Sequence, residues 1–318
     1  MNSKAVNIVW LKRDLRSQDH EPLFNAERTE IPYIIIYLFE PSRIEYPDSS
    51  QRHLQFVYHS IVSLNNTLSE FNRQIEVFYG EATEVFSFLI KHLNIISVFS
   101  YQESGIQYSW ERDKKIKVFC KTNQINWIES QRDGIVRGIK NRKDWNKKWY
   151  QKMHSSVFQN KYTISKEIRL DHPFLIPLKL ESQLKDYPNQ FQPPGEKNAW
   201  KYLRSFTNQR GFNYQRHISK PMESRISCSR LSPYLAWGNM SVRQAFQFIG
   251  THPNGIKNSR AFSSMLTRLY WRCHFIQKFE MECRYETECI NIGYEILSHE
   301  KNELFIKAWK TGTTGYPL

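Results

Sequence analysis

The sequence predicts an α/β N-terminal part built on a doubly wound parallel sheet, followed by an all-α part. Three observations carry this. Residues 1 to about 130 alternate apolar runs with stripes at helical spacing. The apolar runs are continuous, as in strands buried on both faces by crossover helices. From Glu196 onward, apolar residues recur only at steps of three and four.

Taken in order, VNIVWL is the first buried strand, and PYIIIYLF, IEVFY, IISVFSY and INWIE follow it. Between them, Leu54, Val57, Ile61, Leu64, Leu68 and Phe71 mark one face of a helix, and Val85, Phe86, Leu89, Ile90 and Leu93 mark another. No G-x-G-x-x-G follows the first strand, so the standard dinucleotide fingerprint is absent. The strand runs instead into KRDLRSQDHEPL. Arg13, Asp14 and Arg16 then stand at the carboxyl end of a parallel strand, where such sheets place ligand and interface groups. The alternative is a surface charge cluster in which Asp14 bridges to an arginine.

Periodicity fades between Arg132 and about Gly195. Lys140, Arg142, Lys143, Lys147 and Lys148 are interleaved there with Trp145 and Trp149, a mixture that serves a nucleic-acid backbone or a solvated face. A Pro-rich stretch, DHPFLIPLKLESQLKDYPNQFQPPGE, reads as a linker.

In the helical part, Ala199, Trp200, Leu203 and Phe206 form a stripe closed by Gly211. The densest stretch is Ser227–Arg243. Ser232 reads as an N-cap with Pro233 at the first helical position, Gly238 ends that helix, and Ser241 caps the next. Ser227, Ser229 and Arg230 add donors and a charge upstream. The group suits a phosphate or pyrophosphate, or it is a corner whose serines cap backbone. Ser259 opens a longer helix reaching about Phe279, with Phe262, Met265, Leu266, Leu269, Cys273 and Ile276 as its core stripe. Arg268, Trp271, Arg272 and Phe275 share a second face. That face suits an anionic ligand with stacking bases, or arginines lying past an aromatic on a partly buried surface. A last helix around Leu304, Phe305, Ala308 and Trp309 stops at Gly312.

The 318 residues are enough for a sizeable core, and a net charge of +14 points to an acidic partner, with nucleic acid leading. The five cysteines follow no metal-site spacing and read as reduced thiols of a cytoplasmic protein. No signal-peptide core opens the chain, and no apolar run has transmembrane length.

VWLKRDLR near the N-terminus, SRLSPYLAWGNMSVR, LYWRCHF and the final AWKTGTTGYPL together resemble the photolyase/cryptochrome family over essentially the whole chain. The resemblance implies a photolyase-type α/β (antenna) domain over 1–131, an interdomain connector over 132–195, and an incomplete all-α FAD-binding domain over 196–318. It implies FAD as cofactor, with an antenna chromophore of unidentified type as a second group. Damaged duplex DNA is the implied partner of a monomer with no membrane association. The implied activity is light-driven repair of pyrimidine dimers, in which reduced flavin lends an electron to a flipped lesion.

Residue by residue, Tyr214 matches the family tyrosine at the flavin's phosphate end, and Ser229, Arg230, Leu231 and Ser232 match the phosphate-cradling run. Arg272 matches the arginine that approaches the flavin. Trp271 matches the tryptophan that stacks on the flipped dimer. Arg268 departs from the pattern, because dimer-repairing members usually carry an acidic residue there and arginine has no acceptor. Cys228, Cys273 and His274 depart as well. These differences favour, as the alternative, a non-enzymatic cryptochrome-like blue-light photoreceptor. The chain ends at Leu318, just after Tyr316–Pro317, where the family motif continues into further helices. The expectation is therefore a truncated fragment, inactive if the flavin pocket stays open.

Overall fold

A computed structural model describes residues 5–316 apart from 167, 169 and 299, and apart from the side chain at 256. Pro317 and Leu318, the expected truncated end, lie outside the described residues. The chain divides into two compact units, Met1–Met281 and Glu282–Leu318.

In the first unit all five expected strands form: β1 (Ala5–Leu11), β2 (Tyr33–Phe39), β3 (Ile75–Tyr79), β4 (Asn94–Tyr101) and β5 (Asn126–Ser130). They build one sheet in the order β3-β2-β1-β4-β5, every pair parallel. Helices Glu21–Glu27, Gln51–Leu68, Ala82–His92 and Gln107–Thr122 make the crossovers. The continuous apolar runs have their reason here. Side chains alternate between faces along a strand, and both faces are covered. Ile8, Trp10, Ile34 and Ile36 pack with Val85, Phe86 and Leu89. Val9, Leu11, Ile35 and Tyr37 pack with Val57, Ile61 and Leu64 on the other side. Each such aliphatic side chain contributes about 1.5–3 kcal/mol.

The connector is more structured than its composition suggests. It contains helices Trp145–His154 and Leu178–Lys185. Trp145, Trp149 and Met153 are buried in a third core, with Phe206, Tyr234, Phe246, Phe262 and Leu269. Lys140, Arg142, Lys143, Lys147 and Lys148 are all exposed. The basic–aromatic mixture is therefore a solvated helix face backed by core tryptophans. An aromatic at every fourth position of a helix falls on one side, and here that side is inward.

The long helix Ser259–Met281 turns Phe262, Met265, Leu269 and Cys273 into this third core, as its spacing predicts. Helix Val242–Thr251 starts with a full capping box, Ser241 accepting from the Gln244 amide and Gln244 reaching back. In the second unit, helix Glu303–Thr311 is capped by Asn302 and closed by Gly312 at φ 70°. None of its residues is buried, and Leu304, Phe305 and Trp309 are exposed.

Candidate functional site

The loop after β1 is interior and is not a surface cluster. Asp14, Arg16, Asp19 and His20 are all buried. Asp14 meets His20 and not an arginine, with Nε2 to Oδ2 at 2.8 Å. His20 Nδ1 accepts the Leu23 amide at 3.1 Å, so its proton sits on Nε2 and is donated to Asp14. Burial holds the His20 imidazole below its ordinary pKa, while burial of Asp14 is outweighed by His20 and the Lys12 amide, which keep its carboxyl low. The pair is a neutral imidazole on a carboxylate.

This loop fastens the sheet to the Ser227–Arg243 stretch. The Leu15 amide donates to Trp237 O at 3.1 Å, Arg16 Nη1 donates to Gly238 O at 3.2 Å, and Asn239 Nδ2 donates to Leu15 O at 2.8 Å. Asp19 accepts from Ser241 Oγ at 2.5 Å and forms a buried ion pair with Arg243. Gly238 stands at φ 71°, and a Cβ there would lie 2.2 Å from Arg13 O.

The next helix spans Ser232–Trp237, one residue earlier than expected. Leu231 is the N-cap, at φ −84° and ψ −10°, and it makes no side-chain cap bond. Ser232 is therefore the first helical residue, and Pro233 follows it. The shift arises because Leu231 is drawn into the third core and already adopts helical dihedrals. Ser229 is buried, and its Oγ accepts the Leu231 amide at 3.4 Å. Arg230 sits at φ 62°. Ser232 is exposed, and its hydroxyl takes part in no hydrogen bond among the described residues.

The run is shaped by a residue that sequence reasoning passed over. Arg210 donates to the carbonyls of Tyr202, Ile226, Cys228 and Ser229. Beside it opens a cavity of about 860 Å³ lined by Asn208, Arg210, His217, Glu223, Ile226 and Ser227. His217 Nδ1 lies 2.8 Å from Ser227 Oγ.

On the long helix, the expected second face splits. Arg268, Trp271 and Phe275 are exposed, while Arg272 leans inward. The Arg268 guanidinium lies 4.9 Å over the Trp271 ring, and its charge also acts on the Tyr214 phenol. Tyr214 is itself buried, edge-on to Phe206 at 5.6 Å. Burial pushes its phenol up to about 12, with Cys228 adding to the rise and Arg268 opposing it.

Arg272 donates to Asp133 Oδ2 at 3.0 Å and to Leu235 O at 2.9 Å, a cation on the last turn of helix Ser232–Trp237. Arg132 donates to Ala236 O at 3.2 Å in the same place. Burial would raise the Asp133 carboxyl, but Arg272, Arg132 and Arg16 hold it below its ordinary range. Burial also brings Arg132 down to about 10 against the pull of Asp133. Asp133 is the second residue missed. Its signal was the Asp133–Gly134 turn pair, which sits at φ 50° and lets Trp149 lie where a Cβ on Gly134 would stand, 2.1 Å from Trp149 Cδ1.

A second crevice lies at the carboxyl ends of β1 and β2, beside the point where the strand order reverses. Its volume is about 70 Å³. Arg112 pairs with Glu40 at 2.8 Å and with Glu103 and Asp113 at 2.7 Å. Lys12 pairs with Asp113 and Arg13 with Glu103, both at 2.9 Å. Three cations thus meet three carboxylates.

Two family models match the chain. DNA photolyase matches residues 7–169, and the FAD binding domain of DNA photolyase matches residues 265–318. The deoxyribodipyrimidine photo-lyase of Buchnera aphidicola subsp. Acyrthosiphon pisum is 25% identical, over 98% of this chain and 68% of its own length. Cryptochrome-2 of Gallus gallus is 23% identical, over 98% of this chain and 57% of its own length. Among solved structures, the archaeal photolyase from Sulfolobus tokodaii, described with two FAD molecules and the implication of a novel light-harvesting cofactor, superposes with a TM-score of 0.75. It shares 23% identity over 98% of this chain and 68% of its own. At that identity the superposition speaks for the fold.

Proposed function

Since this chain belongs to the DNA photolyase family, shared by photolyases and cryptochromes, we propose that it is an FAD-binding protein that acts on pyrimidine dimers in DNA under light. The observation that carries the reading is the FAD-binding match over residues 265–318. That stretch holds Arg268, whose guanidinium lies over Trp271, and Arg272, which pairs with Asp133.

The residues present fit a flavin dinucleotide at its phosphate end. The Arg230 guanidinium and the Ser232 hydroxyl have no ion pair or hydrogen bond among the described residues, while the Arg230 carbonyl accepts from Gln192. Arg230, Ser232 and the Ser229 hydroxyl would hold the phosphates, Leu231 would fix the turn from inside the core, and Tyr214 would flank it. When bound, the flavin supplies light-driven one-electron chemistry. The protein's own part is binding, orientation and electrostatics. Arg272 keeps a fixed positive charge on the inner flank of the helix. Trp271 presents an exposed ring to a base, and the net charge of +14 supplies salt-dependent attraction to the phosphate backbone. We propose the parts 1–131, 132–195 and 196–318 as the working divisions of the chain.

The sheet crevice, about 70 Å³ and lined by the paired charges of Lys12, Arg13, Glu40, Glu103 and Arg112, would take a ring system only after movement of those side chains. Among the described residues no helix is long and apolar enough to cross a membrane.

The second reading is a cryptochrome-like photoreceptor, favoured by Arg268 in place of an acceptor. Two measurements on the purified chain test both. A visible spectrum showing flavin near one equivalent supports the cofactor, and a colourless folded protein overturns it. Light-dependent loss of cyclobutane dimers from an irradiated duplex supports repair. Flavin without repair, and equal binding of damaged and intact DNA, supports the photoreceptor.

A further inference from the structure

Arg268 and Trp271 stand one turn apart on the long helix, and the guanidinium carbon lies 4.9 Å over the indole centroid. A cation therefore covers one face of the aromatic ring that is otherwise best placed to stack on a base. Trp271 is 46% exposed. Phe275 meets Trp271 edge-on, with centroids 6.3 Å apart at 86°, and offers no stacking surface parallel to it. Tyr214, buried in the core, lies close enough to feel the Arg268 charge. No carboxylate pairs with Arg268 among the described residues. The cover is thus held by one exposed cation–π contact, which is weaker than the forked, charge-assisted bond a guanidinium makes to a phosphate.

We propose that Arg268 is a phosphate-operated cover on Trp271. A base stacks on the indole when the adjoining phosphate draws the guanidinium aside, so the surface selects a phosphodiester-linked nucleotide over an uncharged base. This deepens the DNA-facing role given to Trp271 and rests on that reading for the identity of the polymer. Nothing in the arrangement asks for a carboxylate at position 268. The charge there acts on the strand's backbone, and the ring acts on its base.

The test compares a short oligothymidylate with its uncharged methylphosphonate analogue, followed by tryptophan fluorescence of the full chain, with Trp271→Phe as the blank. The wild type quenches with the charged strand at least about tenfold more tightly than with the uncharged one, as one charge-assisted contact warrants. In Arg268→Met that ratio shrinks by about tenfold, because the charged strand weakens and the uncharged strand tightens. The salt slope for the charged strand falls by about 0.7. A plain phosphate contact would weaken the charged strand without tightening the uncharged one, and that result overturns the cover. So does quenching that persists in Trp271→Phe, or an absence of quenching by either strand. The flavin content, read at visible wavelengths on the same samples, reports separately on the proposed cofactor. A colourless protein with phosphate-dependent stacking would leave the cover intact and the flavin reading refuted.

Discussion

Replacing Gly238 with alanine should unfasten the sheet from the helical core. Gly238 sits at φ 71°, where an L-side chain costs about 1–2 kcal/mol. The new Cβ would lie 2.2 Å from Arg13 O and 2.5 Å from Asp14 Cα, both backbone atoms. Neither can rotate away, so the loop after β1 must retreat. Retreat breaks the Leu15 amide bond to Trp237 O at 3.1 Å and the Arg16 bond to Gly238 O at 3.2 Å. A neutral bond contributes about 1 kcal/mol and a charged one about 1.5–3 kcal/mol. The expected loss is about 4 kcal/mol, a large share of the ~5–15 kcal/mol by which a domain is stable. Urea unfolding followed by circular dichroism at fixed pH measures it. Gly250→Ala is the control. It lies in helix Val242–Thr251 with nothing within 4 Å of a built Cβ, and should gain about 0.5–1 kcal/mol. A Gly238→Ala loss below about 1 kcal/mol would refute the claim that this glycine is required by close backbone approach.

Three further outcomes follow from the same geometry. Glu280 is buried with Oε2 unpartnered and Arg137 Nε 3.7 Å from Oε1, and burial pushes its carboxyl up to about 7. The folded pKa lies above the unfolded value, so the protonated form stabilises the fold, and that stability is lost as pH rises from about 4.5 through 7. Glu280→Gln should therefore gain about 1.5 kcal/mol at pH 8, after halving for the solvent that reaches Arg137, and gain little near pH 5. A gain independent of pH would contradict this. Asp133→Ala leaves Arg272 and Arg132 facing only carbonyls, and should cost about 3 kcal/mol in thermal or urea unfolding. Trp149→Ala should cost about 3–5 kcal/mol, whereas Lys147→Ala and Lys148→Ala together should move stability by less than about 0.5 kcal/mol. Comparable losses in both would show that the Trp145–His154 helix has been assigned the wrong inward face.

By itself the sequence determined the five strands, their crossover helices and the long helix. Continuous apolar runs and three–four spacing are local consequences of which faces get buried. It also marked Gly238, Ser241 and Gly312, because caps and left-handed positions depend on neighbours within a few residues. Tertiary structure alone decided what the charges do. Asp14 met His20 six residues on, Arg210 tied down the Ile226–Ser229 stretch, and Asp133 took Arg272 from 139 residues away, because the partner a charge meets is set by loop packing and leaves no periodic trace at any separation. The basic connector was a solvated face because helix Trp145–His154 turned both of its tryptophans into the third core. The second face of the long helix likewise divided only on packing. Arg272 found a carboxylate and turned inward, and Arg268 found none and settled over Trp271.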